Sequence, residues 1–296
     1  MELLIASRTR AAAACAMLVA ALGGCELMRE PTPLDAVPEL IAVHAILVAG
    51  QETASVLVTR ANPHDPALTW ADPVPDASVR LIRGEQSIEL VPGGDCEQRF
   101  GVPGEADLSA GCYTGAVPGG IVVGARYELE ATLPGGGTIT GATTVPEPPT
   151  LVAPAPGAEI EMRVLPELEP APFVATWRAD PPNRRMEVGL LADRQECVAM
   201  LREDSYGSST HYLDVTGAAS ATLRTGLVEC GEGVPARLDA RLVLAIYDAN
   251  YSEYARVALE DVYAVPGNKA GVGLRGAAGV FGSAALASVP VVLVRR

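Results

Sequence analysis

Residues 126–145 read RYELEATLPGGGTITGATTV, and this stretch constrains the fold more than any other. Tyr127, Leu129 and Ala131 fall on one side of an extended chain, with Arg126, Glu128 and Glu130 on the other. A period of two is the repeat of a half-buried strand. Pro134-Gly135-Gly136-Gly137 then reverses the chain into a second β-rich run, 138–145. The same grammar recurs upstream. Residues 40–48 (LIAVHAILV) and 54–59 (ASVLVT) flank Gly50-Gln51-Glu52, and 78–82 and 87–91 flank Arg83-Gly84-Glu85-Gln86. Downstream, 173–177, 186–192 and 240–247 (ARLVLAIY) are further strand candidates.

With 30 Gly and 24 Pro in 296 residues, turns are frequent and strands short. The expectation is an all-β protein with two antiparallel β-sandwich domains, immunoglobulin- or fibronectin-like, in tandem. Five prolines between residues 145 and 157 mark the boundary, so the domains are placed at 39–146 and 158–296. The linker, 147–157, is expected to be extended and semi-rigid, holding the domains at a defined separation. One helix interrupts the second domain near residues 249–259. Tyr251, Tyr254, Ala255 and Ala258 recur there at helical spacing, and Asp248 or Asn250 is placed to cap it. Residues 277–294 carry no charge, but Gly279, Gly282, Ser283, Ser288 and Pro290 break any spanning helix, and the β-branched end suits a terminal strand.

The N-terminus carries a different message. Arg8 and Arg10 precede a short apolar run, 11–22, far below the roughly 20 residues of a membrane-crossing helix. Leu22-Gly23-Gly24-Cys25 closes it in the arrangement of a bacterial lipobox. Residues 1–24 therefore read as a lipoprotein signal peptide, Cys25 as the lipid attachment site and 25–38 as a lipidated tether. Each buried CH₂ is worth about 0.8 kcal/mol, so the three acyl chains expected on Cys25 anchor a protein essentially for good. Glu26, where an Asp would signal inner-membrane retention, favours the outer membrane, on the periplasmic face or the cell surface.

Net charge is −14, and near −15 once the +1 of residues 1–24 is removed. Phosphate backbones repel such a chain, so nucleic acid is excluded as a partner and membrane attachment falls to the lipid. Apart from Cys15 in the signal and Cys25, four cysteines remain: Cys96, Cys112, Cys197 and Cys230. In an exported protein they read as disulfides. Of three connectivities, Cys96 with Cys112 and Cys197 with Cys230 keeps each bridge inside one domain. Zinc is disfavoured, since there is no CxxC and no nearby histidine.

Reaction chemistry is hard to find. His44 lies mid-strand and reads as a core or edge histidine, and His64 sits in a proline-bounded turn. His211 has Asp204, Ser205, Ser208, Ser209 and Asp214 nearby, but all fall in one polar stretch without a nucleophile elbow. Asp248-x-Asn250-x-Ser252 copies the start of a calcium loop, yet Glu253 stands where glycine is required and Leu259 where the bidentate carboxylate belongs. No phosphate-cradling loop is present, and no catalytic residue, metal or cofactor is expected. Trp70, in the proline-rich loop 64–75, is the candidate contact for a partner or a glycan. Trp177 reads as a core tryptophan.

Four stretches resemble a family of outer-membrane lipoproteins, domain-of-unknown-function family 4249. They are the opening strand pair 37–60; PDASVRL at 75–81 together with 124–149; the tyrosine-bearing helix start at 248–254; and the closing GAAGVFGS at 276–283. The Asn-Ile expected before the closing glycines is absent, although Asn268 lies upstream, and two disulfides are not a general expectation for the family. The resemblance implies an accessory role at a TonB-dependent receptor and supplies no catalytic residues. A non-catalytic partner of such a receptor is thus the leading expectation, with a freestanding glycan-binding or adhesion module as the alternative.

Overall fold

The computed structural model describes residues 40–61, 72–94, 96, 109–162, 170–180, 184–203, 209–210, 212–231, 233–260 and 271–295. In the first half, β1 (Leu40–Val48) and β2 (Thr53–Ala61) form the expected hairpin, turned at Gly50 in the left-handed region. The two-residue β3 (Asp72–Pro73) pairs with β2. β4 (Ser78–Arg83) and β5 (Gln86–Pro92) form the second hairpin. A 3₁₀ turn at Ser109–Gly111 leads into β6 (Cys112–Ala116), which bridges β2 and the end of β5. β7 (Arg126–Thr132) and β8 (Thr138–Thr144) complete the half. In β7 the alternation seen in the sequence is realised: Tyr127, Leu129 and Ala131 are buried, while Arg126 and Glu128 are exposed. Because β5 pairs with β4 along most of its length and with β6 at its end, the ladder folds over on itself and encloses a core. Tyr113 sits inside that core, its hydroxyl accepting from Ala77 N (2.9 Å) and donating to Val74 O (2.6 Å).

The second half adds β9 (Thr150–Ala153), β10 (Ala158–Glu161), β11 (Phe173–Arg178), β12 (Met186–Ala192) and β13 (Cys197–Glu203). There follow β14 (Ser209–Thr210), β15 (Tyr212–Asp214), β16 (Ser220–Cys230) and β17 (Arg237–Tyr247). Helix α1 (Ala249–Glu260), β18 (Leu274–Arg275) and β19 (Ala278–Val294) end the chain. Two sheets face each other here. One contains β15, β12, β17 and β19; the other runs β14-β13-β16-β11-β9. Trp177, Met186, Leu190, Leu201, Leu242 and Leu293 fill the space between them. Trp177 is a core residue as expected, and its indole donates to Ala218 O at 2.9 Å. No helix among the described residues is long and apolar enough to cross a membrane.

Three features depart from the sequence reading. Part of the proline-rich stretch 147–157, expected as an extended semi-rigid linker, is built into the second half, because Thr150–Ala153 is an edge strand on β11 and Gly157 N donates to Pro290 O (2.8 Å). The pairing is not purely antiparallel: β19 runs parallel to both β1 and β10. Hairpin turns force antiparallel neighbours, but β1 and β19 lie at opposite ends of the chain and no short turn dictates their direction. Finally, β19 begins at Ala278, well before the β-branched end that marked a terminal strand, so the glycine-dense stretch is partly strand. Those glycines are required by close approach, not by flexibility. A Cβ on Gly279 would lie 2.2 Å from Val43 O, and one on Gly282 would lie 3.0 Å from Asp248 Oδ1.

β19 joins the halves. Its first residues pair with β1, from Ala42↔Ala278 to Val48↔Ala284, and its later ones pair with β17, from Tyr247↔Ala284 to Arg237↔Val294. Phe281 packs in the first core, while Ala285, Val289, Val291 and Leu293 pack in the second. Residues 278–285 are buried without a break, whereas beyond Leu286 exposed and buried positions alternate. A strand covered on both faces reads as a continuous small or apolar run, and one covered on a single face alternates. The two hydrophobic cores are distinct, one per half, but a continuous ladder from β15 to β18 runs through β19 and β1.

Candidate functional site

The densest polar constellation lies where α1 meets β8 and β19. Asp248 caps the helix, its Oδ1 accepting from Tyr251 N at 2.9 Å. Its other oxygen accepts from Thr143 Oγ1 at 2.6 Å, and Thr143 Oγ1 lies 2.8 Å from Ser283 Oγ. Ser283 also donates to Thr144 O at 3.0 Å, and its carbonyl accepts from Asp248 N at 2.8 Å. Asn250, one residue into the helix, donates to Ala142 O (2.7 Å) and Phe281 O (2.9 Å). Ser252 donates to Asp248 O at 2.6 Å and accepts from Arg185 N at 3.0 Å. Burial pushes the Asp248 carboxyl above its ordinary value, and the hydrogen bonds from Thr143 and from backbone N–H groups oppose that.

An aromatic layer flanks this knot. Tyr247 and Tyr251 stack with ring centroids 4.3 Å apart, and Tyr254 meets the buried His44 edge-on at 5.7 Å. Burial lowers His44 to about 4, so the ring is neutral at physiological pH. The Tyr247 hydroxyl donates to Glu187 Oε2 at 2.8 Å, and Arg185 binds both Glu187 (2.8 Å) and Asp214 (2.9 Å). Burial raises Tyr247 strongly, and it pushes Tyr251 up to about 12. Each named polar group has a structural partner. Chemically the arrangement is a clamp, fastening helix, first sheet and closing strand together.

Two concave regions lie beside it. A groove of about 450 Å³ is lined by Arg126, Glu128, Glu130, Thr140 and Arg275, where Arg126 pairs with Glu128 and Glu130 with Arg80. A cleft of about 320 Å³ is different in kind. Ile46, Val48, Ala284 and Leu286 supply an apolar floor, with Tyr212, Tyr247, Gln51 and Ser55 around it. Ser55 is 3% exposed, and its hydroxyl has no hydrogen-bond partner among the described residues.

The residues singled out in the sequence divide into three groups. Cys25, Trp70, His64 and His211 lie outside the described residues, as do the signal peptide, the tether and Asp204, Ser205 and Ser208. The four remaining cysteines are bonded in the expected pairs: Cys96 with Cys112 (S–S 2.01 Å) and Cys197 with Cys230 (2.06 Å). Asp248, Asn250 and Ser252 are engaged as helix cap and clamp. Among the described residues, no group of three or more His, Cys, Asp or Glu side chains is gathered for a metal ion. Thr143, Ser283 and Ser55 were invisible to sequence reasoning, because an isolated Ser or Thr in a strand carries no local signal.

Comparison with known proteins gives the chain a family. The family described as Domain of unknown function (DUF4249) matches residues 30–180, just over half of the 296. The chain belongs to that family. The DUF4249 match spans β1 to β11, including the two earlier resemblance stretches, while the tyrosine-bearing helix and the closing glycine segment lie beyond it. No curated protein matches the sequence. Fibronectin(III)-like modules of Clostridium thermocellum CbhA align at 15% identity over 86% of this chain and 94% of theirs, with a TM-score of 0.22. The adhesin InvE of Yersinia pseudotuberculosis aligns at 11% identity over 86% of this chain and 60% of its own, also at 0.22.

Proposed function

We propose that this protein is a non-catalytic lipoprotein of the outer membrane, anchored through Cys25, and an accessory partner of a TonB-dependent receptor in substrate capture or assembly. The observation that carries the reading is Leu22-Gly23-Gly24-Cys25 behind a short apolar run. Its tether of about a dozen residues spans at most ~40 Å, which keeps the folded part near the bilayer and within reach of an integral membrane partner. Membership of DUF4249 supports the reading through the association that the resemblance implies. The clamp supports the non-catalytic part, since its polar groups are spent on one another rather than aimed at a shared reactant position.

The test is affinity purification of the lipidated protein from gently solubilised native membranes, beside a Cys25→Ala control, with mass spectrometry of what co-purifies. A receptor recovered in stoichiometric amount only with the wild type is the expected result. Recovery of the protein alone, together with unchanged receptor level and uptake after gene deletion, overturns the reading. A freestanding module that holds a glycan through Trp70 would then lead, and Trp70→Ala on a glycan array would test it.

A further inference from the structure

Ser55 sits near the start of β2, opposite Thr114 of β6, with a side chain only 3% exposed and no hydrogen-bond partner among the described residues. Its oxygen is not among the sealed, unpaired polar atoms, so it stays open to the cleft, where water or a ligand can bond to it at little cost to the fold. This hydroxyl borders the 320 Å³ cleft, a volume at the lower end of small-molecule sites, which run about 300–1,000 Å³. The remainder of the lining fits such a site. The floor is aliphatic, and Leu286 and Tyr212 are each 48% exposed at its edge, apolar surface left open to water. Tyr247 is held in place by its bond to Glu187 and its stack on Tyr251, so one aromatic wall needs no ordering on binding. None of the eight lining residues is acidic or basic, so an ionised ligand would lose water and gain no counter-charge.

We propose that this cleft binds a small uncharged amphiphile, a compact apolar or aromatic body bearing one hydrogen-bonding group that meets Ser55. The site lies on the folded part alone and does not depend on a receptor.

The experiment is a fluorescence titration of the intact chain carrying Cys25→Ala, so that neither lipid nor detergent competes for the probe. The probe is N-phenylnaphthylamine, neutral and with a single N–H, and anilinonaphthalene sulfonate serves as its anionic counterpart. Expected is saturable one-to-one binding, at least about ten-fold weaker for the anionic probe and for Leu286→Lys, which places a charge on the half-exposed floor. Ser55→Ala is expected to weaken binding several-fold while leaving the urea midpoint unchanged. Absence of saturable binding overturns the proposal, and so does binding indifferent to both substitutions. Neither outcome alters the receptor pull-down, so the two ideas fail separately.

Discussion

Two serines lie buried in the same continuous sheet, and they are treated in opposite ways. Ser283, 0% exposed, touches Thr143 and donates to Thr144 O inside a fully partnered clamp. Ser55, 3% exposed, borders an open cleft and bonds to no described residue. Burial alone therefore does not separate structural from available polar groups. Satisfaction does, because a paired group is committed to the fold, whereas a hydroxyl that opens on a cleft can exchange water for a ligand.

Mutation can break this contrast. The largest effect is expected from Asp248→Ala, which orphans the Thr143 hydroxyl and Tyr251 N and removes the cap of α1. A loss of about 3 kcal/mol follows from roughly 1–3 kcal/mol for the buried Thr143 hydroxyl and about 1 for the capping bond to Tyr251 N, read as a lower urea midpoint. Asp248→Asn keeps an acceptor for Thr143 and is expected to recover much of that loss.

Acid comes next. Unfolded His44 takes its proton near 6.5 and the folded ring only near 4, so stability falls as pH drops from about 6.5 to about 4. The span corresponds to up to about 3 kcal/mol. Asp248 works in the other direction, because its raised carboxyl takes up a proton earlier in the folded state than in the unfolded one. Urea melts at several pH values, compared with those of His44→Gln, isolate the histidine. An unchanged pH slope in that variant would remove His44 from the account.

The serines give the smallest effects and the sharpest test. Ser283→Ala is expected to cost about 1–2 kcal/mol, the price of one partnered buried hydroxyl. Ser55→Ala is expected to change stability by less than about 0.5 kcal/mol, because there is no bond to lose. Equal losses at the two positions would abolish the distinction.

Local features were legible in the sequence, and distant ones were not. The hairpins around Gly50 and Gly84, the alternation of β7 and the Asp248 cap all depend on residues a few positions apart. The cysteine pairs followed from keeping each bridge within one half. The clamp was out of reach because Thr143 lies 105 residues from Asp248 and 140 from Ser283. The start of β19 was hidden because Gly279 and Gly282 look like breakers until Val43 O and Asp248 are seen against them. β6 and β16 carry Gly115 and Gly226 among threonines, which blurs a strand signal. The cleft was unreadable because its lining comes from β1, β2, β15, β17, β19 and the β1–β2 turn, segments that meet only in the finished sheet.

The two allegiances of β19 have a consequence for the order of assembly. β1 emerges among the first strands of the chain, and its parallel partner is the last to arrive. Until then Phe281 is missing from the first core, and one border of β1 stands open as a template for any extended chain. Closing so long a loop is slow, so the exposed interval is long. Within this architecture the first half is held in a waiting state by the last strand, and an internal cut before Ala278 would open both halves rather than trim one.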